Sequence, residues 1–293
     1  MSNKVSTIEL QDGRALEYAE YGDPQGNDLL FFHGFIGSYH QASPAHEAAK
    51  QYGFRLIAPN RAGVGHSSPN ETRTIVERMG DVRQLLEKLG IDDFGVVGVS
   101  GGSPYALATA HVFQTRVKTI AAISGIGTIS DPELLARMEP SRRRILKLGK
   151  FPLLAHLYLA WRMRGYKKNP EAFLDVLIQR WPQADQKLFE RQELRTMFLG
   201  DLENALSIGT GTKGLAQELQ RYFNWGFDPK SIQQKVNLWH GTDDRVVPSV
   251  MSEFMAKRLP HSEISLHSGG HFMIVNIVVL FYFSNNIRHG FNH

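Results

Sequence analysis

The sequence predicts an α/β protein in which helices cover both faces of a mostly parallel sheet and a helical segment is inserted into the chain. Short apolar, strand-like stretches alternate with helical stretches over the first 128 residues, which is typical of a buried parallel sheet. The alternation stops over 129–226, where only helical stretches occur, and then resumes. We therefore predict a core formed by 1–128 and 227–293 and a helical cap, or lid, formed by 129–226.

Strands and helices follow one another along the N-terminal third and again after the cap. The predicted strands are 15–22, 28–34, 54–60, 94–100, 117–127, 236–242 and 262–270, and the predicted helices of the core are 43–53, 72–90, 103–113 and 248–260. Ser43 is a candidate N-cap of the first helix. Gly53 and Gly90 stand where the first two helices should end, because glycine readily adopts the left-handed conformation that closes a helix.

Composition narrows the class of protein. The 293 residues are 42% apolar and 21% charged with a net charge of +4, which does not indicate a nucleic-acid-binding protein. The lack of cysteine excludes disulfides, thiolate metal sites and a cysteine nucleophile. The N-terminus has no signal-peptide core, and the longest apolar run, 274–283, is about half of what a membrane span needs. We expect a cytoplasmic protein without stable membrane insertion.

Ser100 stands at a glycine-rich junction between a strand and a helix, in GVVGVSGGSPYALA. Side chains at the carboxyl ends of parallel strands meet at one edge of a sheet, where ligands bind. Small residues around a nucleophile let strand and helix pass closely, and the following helix directs N–H groups towards developing negative charge. Ser100 is therefore a candidate nucleophile. The alternative is a glycine-rich turn whose serine only caps the helix.

A serine nucleophile needs a base, an acid and oxyanion donors, and each has a candidate at a strand end. His271, in HSGGHF after the last strand, is the candidate base. Asp243 and Asp244, in WHGTDDRVVP after the preceding strand, are the candidate acids. The turn FFHGFIG at 31–37 follows an early strand and is the candidate source of oxyanion donors.

Five segments in this order resemble the α/β-hydrolase superfamily. They are HGF at 33–35, PNRAGVGHSS at 59–68, GVSGG at 98–102, HGTDDRVVP at 240–248 and GGH at 269–271. The resemblance implies an α/β-hydrolase fold in which Ser100 is the nucleophile and His271 the general base. It further implies an oxyanion hole made by the backbone N–H groups of Phe35 and Gly101.

The same resemblance bears on three other positions. It favours Asp244 over Asp243 as the acid, since the acid of that family usually stands three residues after the glycine of the HG turn; an exchange of the two stays open. His33 matches the turn histidine of the family, which is usually structural, and it is also a candidate contact of the substrate. Asn60 stands where relatives often carry aspartate, so it brings no negative charge to Arg61.

The resemblance implies a serine hydrolase that needs no cofactor and no metal. Its most direct form is a carboxylic ester hydrolase that forms an acyl-enzyme with a small-molecule acyl substrate. Thioesters, lactones, C–C bonds and perhydrolysis use the same triad and stay open. The serine disfavours relatives that open epoxides with aspartate, and HGFIG differs from the HGGPG-type turn of proline aminopeptidases. The rival from another class is a hydrolase-fold ligand-binding protein or signal receptor with little turnover.

The predicted cap carries the candidates for substrate selection. Ten basic and three acidic residues lie in 131–170, around the apolar stretch FPLLAHLYLAW. Leu157, Trp161 and Trp181 are candidates to line the substrate site, and packing in the core is the alternative for Trp181. The alternatives for that stretch are a cap helix packed on the core with a solvated basic face, and an apolar face that meets a membrane surface. The stretch 274–283 departs from the amphipathic final helix of relatives and is interpreted as a buried element or as a contact in a homodimer.

Overall fold

The computed structural model describes residues 4–208 and 210–272 and contains one eight-stranded sheet. The strands are β1 (Lys4–Glu9), β2 (Ala15–Gly22), β3 (Asn27–Phe32), β4 (Phe54–Pro59), β5 (Phe94–Val99), β6 (Val117–Ile123), β7 (Val236–Gly241) and β8 (Ser262–His267). Their spatial order is β1-β2-β4-β3-β5-β6-β7-β8. The pairs β1–β2 and β2–β4 are antiparallel, and every other pair is parallel. The predicted α/β class with a mostly parallel sheet is confirmed.

The central strands are apolar at nearly every position because both of their faces are covered. β5, with the sequence FGVVGV, is buried along its whole length. In β3, Leu30 and Phe32 join one apolar cluster, whereas Leu29 and Phe31 join a second cluster. Alternate side chains of a strand point to opposite faces, so each face of the sheet has its own core.

The described helices are α1 (His46–Tyr52), α2 (Met79–Leu89), α3 (Ser103–Phe113), α4 (Pro132–Ala136), α5 (Pro140–Leu148), α6 (Pro152–Lys168), α7 (Pro170–Ile178), α8 (Gln183–Leu188), α9 (Gln192–Ser207), α10 (Thr212–Arg221) and α11 (Val250–Arg258). Residues of α2 and α3 belong to the first cluster and residues of α1 to the second. Helices therefore cover both faces of the sheet.

The chain between β6 and β7 is helical, with α4–α10 and no strand in its described residues. The helices α4, α5, α6 and α7 all begin with proline, whose fixed φ and missing N–H suit the first helical position. α6 packs against α7 and α10, and α9 packs against the 3-10 turn Tyr39–Ala45 near the end of β3. The division into a core and a cap of 129–226 remains a prediction.

Local details differ from the sequence prediction in two helices. α1 begins at His46, because the residues before it form the 3-10 turn, and Ser38 rather than Ser43 supplies a capping hydroxyl. α2 begins at Met79, later than predicted, after a short 3-10 turn. Gly53 and Gly90 end these helices with left-handed φ angles of 73° and 67°, as predicted.

Within 4–208 and 210–272, no helix combines the length and the apolarity that a membrane crossing requires. The apolar stretch 274–283 lies outside the described residues.

Candidate active site

Ser100 lies in a tight turn between β5 and α3. Its backbone has a left-handed φ of +52°, which is uncommon for a residue with a side chain. The turn requires glycine on both sides: a Cβ on Gly98 would lie 2.5 Å from the carbonyl oxygen of Gly102, and a Cβ on Gly102 would collide with the carbonyl oxygen of Phe32. This close passage of strand and helix holds Ser100 at the carboxyl edge of the sheet.

Asp244 and His271 come together from the ends of two neighbouring strands, β7 and β8. The Nδ1 atom of His271 donates a hydrogen bond of 2.6 Å to Oδ2 of Asp244, and both side chains are buried. The other carboxylate oxygen, Oδ1, accepts the backbone N–H groups of Val246 and Val247 at 2.7 and 2.8 Å. The arrangement leaves Nε2 of His271 as the nitrogen that can accept a proton.

The carboxyl group of Asp244 is held in its charged form. Burial raises its pKa, but the opposing electrostatic effect of the neighbouring His271 and hydrogen bonds from His240 and His271 keep the pKa well below the usual range. Asp243 differs, because its side chain is exposed and accepts the backbone N–H of Gly269 at 3.2 Å. The structure thus pairs His271 with the second aspartate of the motif.

His240 is a contact of the acid that the sequence analysis did not include. Its Nε2 donates to the carbonyl oxygen of Val247 at 2.8 Å and lies 3.3 Å from Oδ2 of Asp244, while its Nδ1 contacts the hydroxyl of Ser252 at 2.7 Å. The imidazole is completely buried. The signal in the sequence was the position of His240 at the end of β7, four residues before Asp244.

Phe35 and Gly101, the two predicted oxyanion donors, are neighbours beside Ser100. A Cβ on Gly101 would lie 3.0 Å from the Cβ of Phe35, and both residues line the same cavity as Ser100. The turn that carries Phe35 is fixed by Gln41, which the sequence analysis missed. The Oε1 atom of Gln41 accepts the N–H of Gly34 at 2.7 Å, and its Nε2 donates to the carbonyl of Ile36 at 3.3 Å.

Asp201 joins α9 to this turn. Its Oδ2 accepts Nε2 of Gln41 at 2.8 Å, and its Oδ1 accepts the backbone N–H and the hydroxyl of Ser38 at 2.6 and 2.7 Å. Burial raises the pKa of Asp201 to about 7, against the hydrogen bonds from Gln41 and Ser38 and the charge of Arg61. The contact places a titratable carboxyl group between α9 and the turn of Phe35.

His33 does not line the cavity that contains Ser100, which contradicts its assignment as a candidate contact of the substrate. It is completely buried, with Nδ1 donating to the carbonyl of Gly34 at 3.0 Å and Nε2 accepting the N–H of Arg61 at 3.3 Å. Burial lowers the pKa of His33 well below its usual value, so the ring is neutral. Arg61 finds its negative partner in Glu218 of α10, at 3.2 Å, rather than at position 60.

Ser100, His271, Phe35 and Gly101 line a cavity of about 330 Å³. Its walls are mostly apolar and include Trp181, one of the candidates to line a substrate site. The indole of Trp181 packs against the ring of Phe272 with centroids 4.3 Å apart and also contacts Phe189 and Phe198. These aromatic side chains form one wall of the cavity.

Leu157 and Trp161 do not line the cavity, which contradicts their assignment to the substrate site. Their side chains are 57% and 59% exposed, on the outer side of α6. The neighbouring residues Leu159 and Met163 are buried and face the cavity instead. Because a helix turns by about 100° per residue, the spacing of apolar residues predicted the helix but did not decide which of its faces turns inward.

Comparisons with known proteins agree with this architecture. A family model described as the alpha/beta hydrolase fold matches residues 28–276, which is most of the chain. The uncharacterized hydrolase YcgS of Bacillus subtilis (strain 168) is 28% identical over 126 residues, which cover 43% of this chain and 43% of that protein. The match thus spans less than half the length of that relative.

Two longer matches cover nearly the whole chain. The poly(3-hydroxyalkanoate) depolymerase of Ectopseudomonas oleovorans is 22% identical over 277 residues, which cover 92% of this chain and 86% of that protein. The crystal structure of the enol-lactonase from Burkholderia xenovorans LB400 superposes on this structure with a TM-score of 0.70 at 18% identity. The superposition covers 98% of this chain and 100% of the lactonase chain. Because the family model covers most of the chain, the chain belongs to the alpha/beta hydrolase fold family.

Proposed function

We propose that the protein is a cofactor-free serine hydrolase that cleaves carboxylic esters. The observation that carries the proposal is the buried hydrogen bond of 2.6 Å between Asp244 and His271. The imidazole of His271 lines the same cavity as Ser100. A nucleophile, a base and an acid at neighbouring strand ends are the groups that acyl transfer needs.

In the proposed reaction, Nε2 of His271 takes the proton of the Ser100 hydroxyl as Oγ attacks the carbonyl carbon of the ester. Asp244 holds the imidazole in the tautomer with a hydrogen on Nδ1 and stabilises the imidazolium that forms. Such general-base assistance is worth roughly 10²–10⁴-fold in rate. The ionised state of the Asp244 carboxyl supports this role.

The tetrahedral intermediate carries its negative charge on the former carbonyl oxygen. The N–H groups of Phe35 and Gly101 would stabilise it, each contributing about 3–4 kcal/mol. His271 then protonates the leaving alcohol, and the C–O bond breaks to give an acyl-serine. Water that loses a proton to His271 attacks the acyl carbon, releasing the acid and restoring Ser100.

An ester is the preferred substrate class for two reasons. The apolar cavity suits an acyl chain, and the depolymerase relative is named for poly(3-hydroxyalkanoate), a polyester. Thioesters and lactones pass through the same tetrahedral intermediate, so they belong in the same substrate panel. The rival, a ligand-binding protein with little turnover, predicts a reactive serine without sustained product formation.

The experiment compares wild type, Ser100→Ala and the control Ser130→Ala, in which an exposed hydroxyl outside the site is removed. Turnover of 4-nitrophenyl butyrate and covalent labelling by a fluorophosphonate are measured. We expect turnover and labelling in wild type and Ser130→Ala and neither in Ser100→Ala. Equal turnover in Ser100→Ala would overturn the proposal, and labelling of wild type without turnover of any ester or thioester would establish the rival.

A further inference from the structure

Two arginine side chains line the cavity that contains Ser100. Arg142 comes from α5 and Arg162 from α6, and both are only partly accessible. Within the described part of the chain, no aspartate or glutamate lines this cavity. The other residues that line this cavity are mostly aliphatic and aromatic, so the two arginines bring positive charge to walls of otherwise low polarity.

Neither guanidinium has a carboxylate partner among the residues 4–208 and 210–272. Arg55 and Arg61, by contrast, do have such a partner: Arg55 lies 2.7 Å from Glu20, and Arg61 lies 3.2 Å from Glu218. Glu139 accepts the backbone N–H of Arg142 at 3.2 Å. The carboxylate of Asp244 is already occupied by His271 and by two backbone N–H groups.

Partial burial destabilises the charged form of Arg142. Burial lowers the pKa of Arg142, and the negative charges of Asp244 and Glu139 act in the opposite direction. A partly desolvated guanidinium is stabilised by a bound anion, and its planar fork matches the two oxygens of a carboxylate. An anionic ligand in the cavity would supply the partner that the chain does not.

We propose that Arg142 and Arg162 form a subsite that binds a carboxylate group carried by the substrate itself, within the cavity that holds Ser100 and His271. The inference rests on the proposed function for the identity of the nucleophile. The substrate class becomes an ester with an apolar body and a carboxylate. The aromatic wall of Trp181 and Phe272 would contact the apolar part.

The test uses two pairs of esters in which a carboxamide replaces the carboxylate. The first pair is the 4-nitrophenyl half-ester of adipic acid and the 4-nitrophenyl ester of adipamic acid. In this pair the carboxylate or carboxamide is on the acyl side. In the second pair, 4-carboxyphenyl butyrate and 4-carbamoylphenyl butyrate, the charge is on the leaving group. For each pair, the ratio of kcat/KM for the anionic ester to kcat/KM for the neutral ester is measured, so that intrinsic reactivity cancels between variants.

We expect wild type to favour the anionic ester of at least one pair. Arg142→Gln and Arg162→Gln should each lower that ratio by roughly tenfold to a hundredfold, which is the value of a hydrogen-bonded charge pair. The matched control is Arg164→Gln, since Arg164 is an exposed residue of the same helix, and its ratio should equal that of wild type. Ratios for both pairs that are identical in wild type, Arg142→Gln and Arg162→Gln would overturn the proposal.

A binding measurement separates this inference from the proposed function. Titration calorimetry with Ser100→Ala should show tighter binding of the anionic ester than of the neutral ester. The difference should disappear in the double variant that also carries Arg142→Gln. Absence of all ester turnover in wild type would refute the proposed function and leave this binding comparison intact. Equal binding of the anionic and the neutral ester would refute the subsite alone. If Arg142→Gln does not fold, Arg142→Lys keeps the charge without the fork and should retain only part of the preference.

Discussion

At the scale of single residues, the candidate acid has two histidine contacts. Asp244 accepts from His271 at 2.6 Å, and His240 lies 3.3 Å from the same carboxylate oxygen. His240 is tied to the carbonyl of Val247, whose N–H binds the other oxygen of Asp244. The carboxylate is therefore fixed on both sides, which orients the imidazole of His271.

The adjacent aspartates allow a matched test of the acid. Asp244→Asn replaces an oxygen that accepts from His271 with an amide, which favours the wrong imidazole tautomer, so kcat should fall by roughly 10³- to 10⁴-fold. Asp243→Asn changes an exposed carboxylate that accepts only a backbone N–H of Gly269 in the described residues. Its kcat should stay within about threefold of wild type, since exposed substitutions usually have small effects.

Ester turnover by the two purified variants decides between the aspartates. A greater loss in Asp243→Asn than in Asp244→Asn would reassign the acid to position 243. Circular dichroism of each variant serves as the control for folding.

At the scale of the elements, the sequence predicted the buried strands best. β3, β5 and β6 are runs of apolar residues between glycine or polar turns, and such runs have few other interpretations in an α/β chain. β1 was missed because its six residues, KVSTIE, are largely exposed, so no apolar period marks them. The start of α1 was misplaced because the hydroxyl of Ser38, not that of Ser43, caps the preceding turn.

The turn of Ser100 depends on glycine at position 102, whose Cβ would collide with the carbonyl of Phe32. Gly102→Ala should therefore force the strand and helix apart and lower the free energy of unfolding by about 1–3 kcal/mol or more, the usual cost of overpacking. The control is Gly80→Ala in α2, where a Cβ meets nothing within 4 Å. Alanine there should stabilise the protein by up to about 1 kcal/mol through helix propensity.

Urea unfolding of both glycine variants measures the two effects. Equal stabilities for Gly102→Ala and wild type would show that the turn can open without cost, contrary to its close contacts.

The contact between α9 and the turn of Phe35 should depend on pH through Asp201. Its pKa in the folded protein, about 7, lies above its value of 3.8 without burial, so the folded protein keeps a proton that the unfolded chain releases between these pH values. This contribution to stability is fully present below about pH 4 and is lost as the pH rises to about 7. The magnitude is about 1.4 kcal/mol per unit of pKa difference.

Asp201→Asn removes the titrating group, and Glu193→Gln, an exposed change in the same helix, is its control. The free energy of unfolding of wild type, relative to Asp201→Asn, should fall between pH 5 and pH 7. Relative to Glu193→Gln the difference should stay constant with pH over this range, because both proteins retain Asp201. A difference between wild type and Asp201→Asn that is constant with pH would contradict the prediction.

At the scale of the whole molecule, the candidate site could be anticipated because a parallel sheet gathers its strand ends. Ser100, Asp244 and His271 each follow a strand of the parallel part of the sheet, and topology alone brings such positions to one edge. Gln41 and Asp201 could not be anticipated, since their contact joins residues 160 positions apart through side-chain geometry. The same limit applies to α6, where the inward side is set by packing against α7 and α10.

A buried charge cluster connects α10 to the sheet. Glu218 lies 3.2 Å from Nε of Arg61, accepts the hydroxyl of Tyr105 at 2.8 Å, and is 3.8 Å from Arg221. Arg61 in turn donates to the carbonyls of His33 and Gly34, beside the turn that carries Phe35. Because these groups are buried, removing the one carboxylate would leave the positive charge of Arg61 without its negative partner.

We therefore expect Glu218→Gln to lower the free energy of unfolding by about 3–5 kcal/mol, the cost of breaking a buried ion pair from one side. Glu190→Gln removes the same charge at an exposed position and should change the free energy by no more than about 0.5 kcal/mol. Urea unfolding followed by tryptophan fluorescence and by circular dichroism measures both. If the cluster joins α10 to the sheet as one cooperative unit, the two probes should shift together in Glu218→Gln. A stability equal to that of Glu190→Gln would show that Arg61 is satisfied without Glu218.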